Sequence, residues 1–300
     1  MNGYNLESGT AAMESDAIQA PESAASAGIE SNETIEELPR IDELDLLFLE
    51  ITSKCNLQCI HCYANSGPEL PMTLGMTRDK WRKVLRDASN LGCQRVQFIG
   101  GEPTIHPDLL ELIADANGLG YQVIEVYTNG TIMNSRMLEC FREFNATLAF
   151  SVYAANPEIH DSITKRAGSF ETTIESIRQT IEFGIPLRVT IVEMEQNAGH
   201  IDATEAMLAS LGVKTIKVDR LRGIGRGNIT LGVSDPMEEM CSDCGKGQLA
   251  VDSAGNVYPC LLSKYYGLGD VSGGLEPILA GESLHLFRTK MRSRYSSTAE

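Results

Sequence analysis

Three cysteines stand within one short stretch, "TSKCNLQCIHCY" (52–63): Cys55, Cys59 four positions on, and Cys62 three after that. A second set, Cys241, Cys244 and Cys260, has the pattern C-x2-C-x15-C. Cys93 and Cys140 stand alone among apolar neighbours, where a plain buried role is expected. Disulfides are not the natural reading, because the chain has no secretory signal at its N-terminus, and clustered thiols in a reducing compartment more often hold metal. Zinc is one candidate, but a closed structural zinc site wants four donors. His61 is the nearest fourth donor for the first set, yet it adjoins Cys62, and both side chains would have to turn onto one ion. An iron–sulfur cluster takes one thiolate per iron corner. Three cysteines on a cubane of four irons leave one iron able to bind a substrate or cofactor through amino and carboxylate groups.

The 300 residues are enough for one large domain or two modest ones. Hydrophobic content of 42% and charged content of 22% are those of an ordinary globular protein. No apolar run is long enough to span a bilayer, so no membrane role and a cytoplasmic location are expected. The net charge is −16, of which residues 1–40 carry −7: eight acids face Arg40 alone. That segment is rich in Ala, Ser and Gly, with Tyr4 its only aromatic, so residues 1–40 are expected to be an acidic disordered tail. The acidic body argues against nucleic acid, which calls for a basic surface.

The elements that must position the cysteines follow from periodicity. "DLLFLEI" (45–51) is a short apolar run suited to a buried strand, and the first cysteine loop follows it. Thr77 caps a helix carrying Trp81, Val84, Leu85 and Ala88 at helical spacing, and Gly92 stops it. "RVQFIGGEP" is a second strand ending in a glycine pair. Helices near 108–117, 134–144, 170–183 and 200–211 then lead to strands in "YQVIEVYTNG", "ATLAFSVY", "PLRVTIVEM" and "KTIKVDRL". Six strand-then-helix steps imply parallel strands joined by crossovers, as a doubly wound sheet or an open portion of a βα barrel. Either way the site belongs on the loops after the strands. From about Pro236 the pattern changes to a cysteine pair, two strands around Ala254-Gly255-Asn256, and a last cysteine. Residues 41–235 and 236–300 are therefore expected to be a barrel and a small appended module.

"CNLQCIHC", on the loop after the first strand, together with "GGEP" (100–103) after the second, resembles the signature of the radical S-adenosylmethionine (SAM) superfamily, over residues 45 to about 220. The resemblance implies an α/β fold, a partial (βα)6 barrel of radical SAM type with a small C-terminal α+β cluster-binding module. It implies that Cys55, Cys59 and Cys62 ligate a catalytic 4Fe–4S cluster whose open iron chelates SAM. Gly100, Gly101 and Glu102 are then expected to face the methionyl amino group, with glycine allowing the backbone to come close to the ligand and the carboxylate meeting an ammonium. His61 is expected along the adenine, and Thr128 and Ser151 near the ribose, the carboxylate or the substrate. Asn129 is expected to shape the Asn-Gly turn. The cofactor brings a 5′-deoxyadenosyl radical that abstracts hydrogen, while the protein positions and shields it. A flavodoxin- or ferredoxin-type electron donor is also implied.

Taken alone, Cys241, Cys244 and Cys260 read as a zinc site lacking one ligand. Downstream of such a barrel they are similar to the opening of the SPASM domain in its shortened, twitch-like form, which implies a second, auxiliary 4Fe–4S cluster; no cysteine follows Cys260. Asp243, His285 or the substrate is expected to fill its remaining iron. The three-cysteine arrangement is also similar to that of the cyclase of molybdopterin biosynthesis, but that enzyme's Gly-Arg tail is absent and its activity is not assigned. "RLRGIGRG" (220–227) fails as a dinucleotide loop, because Asn228 stands at the third glycine; it resembles the "GRG" segments of peptide maturases. Arg220, Arg222 and Arg226 are expected either to hold carboxylates or to be solvated linker residues. The expected function is modification of a ribosomally made precursor peptide, by thioether or carbon–carbon crosslinking or by epimerisation, although no segment ahead of the barrel reads as a leader-binding domain. The alternatives are oxidation of a small molecule such as a sugar or aminocyclitol, and, in another class, a non-catalytic zinc or redox-sensing protein.

Overall fold

The computed structural model describes residues 44–296; the expected acidic tail at 1–40 lies outside them. Six parallel strands alternate with helices: β1 (Leu46–Thr52), α1 (Arg78–Asn90), β2 (Arg95–Gly100), α2 (Leu109–Gly118), β3 (Val123–Thr128), α3 (Ser135–Glu143), β4 (Thr147–Ser151), α4 (Pro157–Thr164), α5 (Ser169–Glu182), β5 (Leu187–Glu193), α6 (Ile201–Ser210) and β6 (Ile216–Arg220). They lie side by side in chain order, 6-5-4-3-2-1. A doubly wound sheet reverses its order part-way; here there is no reversal, so the six units form the open portion of a βα barrel.

The remaining elements are α7 (Gly227–Leu231), β7 (Gln248–Val251), β8 (Asn256–Tyr258), β9 (Gly269–Asp270), α8 (Glu276–Leu279) and α9 (Glu282–Ser296). They continue the same sheet: β7 pairs parallel with β1, Leu46 opposite Gln248 through Leu49 opposite Val251, and β8 and β9 follow antiparallel. The module appended in sequence thus shares its backbone ladder with the barrel. Among the described residues no helix is long and apolar enough to cross a membrane.

Strand alternation sorts the side chains. Leu47, Leu49, Ile51, Val96, Phe98, Ile124, Val126, Leu148, Phe150, Val189 and Ile191 share one core with the buried stripes of the helices, including Trp81, Leu85, Leu112, Phe141 and Ile177. Full burial of each large apolar side chain contributes about 1.5–3 kcal/mol, which makes this layer the main support of the sheet. The intervening residues, Glu50, Gln97, Glu125, Tyr127 and Arg188 among them, point to the opposite face. Local capping is as the sequence expects at α1, where the Thr77 side chain accepts from the Lys80 N–H and Gly92 ends the helix at φ +89°. Helix α4 is an addition to that reading: Asn156 caps it and Pro157 opens it.

Candidate active site

The loop carrying Cys55, Cys59 and Cys62 leaves β1 and is held from three directions. Cys55 N–H donates to the Gly67 carbonyl at 3.1 Å, while Gln58 and Ile60 N–H donate to Thr164 and Ile163 at the end of α4, at 3.2 and 3.0 Å. Arg226, just before α7, gives its N–H to the Cys62 carbonyl (3.0 Å), Nε to the Cys59 carbonyl (2.6 Å) and Nη2 to the Ser66 carbonyl (2.7 Å). The three thiols lie within electrostatic reach of one another. Burial, then Glu102, pushes the Cys55 thiol up to about 12. Burial, then Cys62 and Cys55, pushes Cys59 up as well, with Arg226 opposing. Thiolates are poor tenants of such a site alone, and a cationic metal reverses that balance. Leu57 N–H (3.4 Å) and Asn129 Nδ2 (3.7 Å) already donate to the Cys55 sulfur.

Gly100 and Gly101 turn the end of β2 across the exit of β1. A Cβ on Gly100, at φ +134°, would stand 2.4 Å from the Thr52 carbonyl oxygen, and one on Gly101 would stand 1.9 Å from that of Lys54. Gly101 N–H donates to Thr52 O at 2.7 Å and Glu102 N–H to Lys54 O at 2.9 Å. The chain's own cysteine loop thus requires these glycines, in addition to the close ligand approach expected of them. Glu102, expected to face an ammonium, is 1% exposed and already accepts four hydrogen bonds. Its Oε1 takes Thr104 N–H (3.0 Å), Thr104 Oγ1 (2.6 Å) and Thr128 Oγ1 (2.7 Å), and its Oε2 takes Asn129 N–H (2.7 Å). Burial pushes this carboxyl above the usual range while the four bonds pull the other way. Thr128 is likewise turned inward: its hydroxyl donates to Glu102 and accepts from Gly130 N–H at 3.0 Å. The pair clamps the ends of β2 and β3 together. Asn129, beyond its turn role, reaches the cysteine loop through Asn56 Oδ1 at 2.9 Å.

His61 meets Tyr153 edge-on, ring centroids 4.6 Å apart. Desolvation, then Arg226 and His160, pushes its pKa down to about 4, so the imidazole is neutral. Ser151 ends β4, half-buried and level with Thr190 of β5. On the strand face opposite the helices, Arg188 grips Glu125 with Nε (2.7 Å) and Nη2 (2.8 Å), Gln97 bonds the same carboxylate, and the Arg188 guanidinium lies 5.3 Å from the centre of the Tyr127 ring. Lys264, four positions after Cys260, pairs with buried Glu50 at 2.5 Å. Sequence reasoning did not single out this polar set, because its members are far apart in the chain.

Arg220, though exposed, and half-buried Arg222 are both bonded within the chain. Arg220 pairs with buried Glu239 at 2.8 Å, and Arg222 bonds the Glu239 carbonyl at 3.0 Å and Asp219 at 3.1 Å, which ties β6 to the segment entering the second cysteine set. There Cys244 Sγ lies 3.8 Å from Cys241 Sγ and 3.2 Å from Cys260 Sγ. The close contacts with Cys244 lower the Cys241 and Cys260 thiols and raise that of Cys244. A cavity of about 180 Å³ beside Cys244 is lined by Lys246, Arg288, Met291 and Arg292; neither Asp243 nor His285 lines it. Among the described residues, no three His, Cys, Asp or Glu side chains are gathered to hold a single metal ion. Cys93 is buried, with its sulfur against the Asp45 and Arg95 carbonyls, and half-buried Cys140 packs on the core, as expected for unpaired thiols.

Residues 49–207 match the family model of the radical SAM superfamily. The chain belongs to that superfamily. Residues 241–299 match the SPASM iron–sulfur cluster-binding domain. A radical SAM chain of this composition works with a 4Fe–4S cluster and SAM, and the SPASM domain brings an auxiliary iron–sulfur cluster. The chain is 28% identical over 255 residues to the antilisterial bacteriocin subtilosin biosynthesis protein AlbA of Bacillus subtilis, covering 74% of this chain and 56% of AlbA. It is 28% identical over 184 residues to an AdoMet-dependent heme synthase of Methanosarcina barkeri, covering 61% of this chain and 52% of that one. It thus spans about half the length of these curated relatives. Among solved structures, native anSMEcpe with bound AdoMet superposes with a TM-score of 0.64 at 18% identity over 81% of this chain and 82% of that one. Streptococcus suis SuiB bound to precursor peptide SuiA superposes with a TM-score of 0.60 at 15% identity, over 73% and 60%. These likenesses establish the radical SAM fold.

Proposed function

We propose that this radical SAM enzyme modifies a ribosomally made peptide, forming a thioether or carbon–carbon crosslink or inverting a residue. The reading is carried by the SPASM match at 241–299, downstream of the barrel, in a chain similar to a bacteriocin biosynthesis protein. In this reading residues 41–235 act as the barrel and 236–300 as the auxiliary module. Cys55, Cys59 and Cys62 hold the SAM-binding cluster, and Cys241, Cys244 and Cys260 hold the auxiliary one. When bound, the first cluster and SAM supply a 5′-deoxyadenosyl radical that takes a hydrogen atom from the substrate.

The chain's own residues do the positioning. Gly100 and Gly101 bring the β2 end against the cysteine loop and, with its backbone, offer the edge along which SAM lies. Glu102 and Thr128 hold that edge rigid, and so serve SAM indirectly. Neutral His61, braced by Tyr153, offers an apolar ring face to the adenine without adding charge. Ser151 offers a hydroxyl at the end of β4. A small-molecule substrate is the second reading, favoured by the likeness to the heme synthase and by the polar strand face around Arg188 and Glu125.

The decisive assay incubates anaerobically reconstituted full-length protein with SAM, dithionite and each short peptide encoded beside its gene, followed by mass spectrometry. A peptide lighter by two hydrogens, or deuterated from solvent at one residue, supports the proposal. Formation of 5′-deoxyadenosine with every such peptide unchanged removes the peptide reading. Undiminished 5′-deoxyadenosine from Cys59→Ala protein removes the cluster assignment itself.

A further inference from the structure

We propose that Arg226 is the positioning residue of the first cysteine loop, fixing the backbone of Cys59 and Cys62 from the far end of the barrel. The inference rests on the reading that this loop holds the SAM-binding cluster. Arg226 lies beyond β6, the last barrel strand, and bonds the loop after β1, the first. Two guanidinium donors, Nε and Nη2, go to the Cys59 and Ser66 carbonyls, and its backbone N–H goes to that of Cys62, so one residue holds three carbonyls of one loop, of which the side chain holds two. Two of those carbonyls belong to the cysteines themselves, so fixing their peptide planes fixes the directions in which both Cβ atoms leave the backbone. The guanidinium suits this task because its donors form a rigid fork, whereas an ammonium offers one point charge.

The glycines of "RGIGRG" make the approach possible. A Cβ on Gly225, at φ +58°, would stand 2.4 Å from both the Cys62 and the Tyr63 carbonyl oxygens. A Cβ on Gly227 would stand 2.2 Å from the Arg222 carbonyl, and one on Gly223 would stand 2.3 Å from Val233 Cγ2. Ile224, 2% exposed, anchors the segment between them. The motif is thus a tightly folded strap pressed on the cysteine loop, with Arg226 as its clasp. A fixed positive charge beside Cys59 also favours the thiolate, and it favours added negative charge on anything those thiolates bind.

The test compares wild type, Arg226→Gln and Arg226→Lys as full-length chains. Amide hydrogen exchange is followed in iron-free protein over residues 55–66, with α1 as the internal control. The midpoint potential of the SAM-responsive cluster is then measured in loaded protein. Losing even one charge-assisted hydrogen bond should speed loop exchange about tenfold in Arg226→Gln while α1 is unchanged. Arg226→Lys should speed it similarly, because the fork is lost. The potential should fall in Arg226→Gln and return towards wild type in Arg226→Lys, because the charge is kept. Loop exchange in Arg226→Gln equal to wild type overturns the proposal, as does an unmoved potential. If α1 also speeds up in Arg226→Gln, the chain has opened globally and Arg226→Lys decides: wild-type loop exchange there overturns the proposal. The exchange experiment contains no cluster, so its failure is distinct from a failure of the cluster reading, which the Cys59→Ala protein reports.

Discussion

Replacing Glu102 with Gln separates a clamp from a ligand contact. The carboxylate accepts four hydrogen bonds from a site with 1% exposure: three at Oε1 from Thr104 and Thr128, and one at Oε2 from the Asn129 N–H. Glutamine fills the same space but has one acceptor end and one donor end. With its oxygen towards Thr104 and Thr128, its NH2 meets the Asn129 N–H, donor against donor. Flipped, it meets the Thr104 N–H. The threonine hydroxyls can turn to accept, but the backbone N–H groups cannot, so either orientation strands one buried donor at about 1–3 kcal/mol. The surviving bonds also lose charge assistance, which brings the expected loss to about 3 kcal/mol. For a folded unit of this size that lowers the melting temperature by about 6–12 °C. The assay is urea and thermal unfolding of the iron-free full-length chain, where no SAM is present to be contacted. A Glu102→Gln midpoint equal to wild type within about 0.5 kcal/mol, with only SAM binding weakened, would refute the clamp and restore the ammonium contact.

Three further outcomes are expected. His160 is 1% exposed, accepts the Tyr153 N–H at Nδ1 (3.3 Å), and is pushed down to about 4 by burial; since the fold favours the neutral ring, stability is complete above the ordinary value near 6.5 and falls by about 3 kcal/mol as pH drops to 4. His160→Gln should flatten that part of an unfolding-versus-pH curve, and an unchanged slope would show that the ring titrates normally. Arg188→Met should cost about 2 kcal/mol in urea unfolding by leaving Glu125 without its forked partner, with Arg188→Met/Glu125→Gln recovering most of it; additive losses in the double variant would mean that the pair does not couple. Cys260→Ala should lose the auxiliary cluster's iron and sulfide while substrate-free formation of 5′-deoxyadenosine persists, and full iron content in that variant would remove Cys260 from the ligand set.

What could be read in the sequence was whatever the chain declares locally. The first five strands were visible because each sets an apolar face against the helices, the more exposed β6 because Ile216 and Val218 alternate with polar residues, and both cysteine sets because their spacings are written in short stretches of chain. The same strands hid their second role. Glu50, Gln97, Glu125 and Arg188 read as interruptions of apolar runs, and nothing local pairs Glu125 with a guanidinium 63 positions on. Helix α4 was missed although Asn156-Pro157-Glu158 is a sound start signal, because eight residues offer too little periodicity to stand out between β4 and α5. The pairing of β7 with β1 joins residues about 200 apart and leaves no mark in either segment. Motifs are silent on a different point: "GGEP" and "GRG" name residue types but not the direction in which a side chain turns. Glu102 and Arg226 are both charged residues beside a cysteine loop; the sequence suggests a ligand contact for Glu102, and a carboxylate contact or a solvated linker role for Arg226. A charge with 1% exposure must find its partners inside, and an arginine whose flanking glycines each admit no Cβ is already pressed against its own chain. In this protein the residues that would hold metal lie close together in sequence, while those that aim them come from the opposite end of the barrel. Changes at the second group should therefore move cluster properties without touching a ligand.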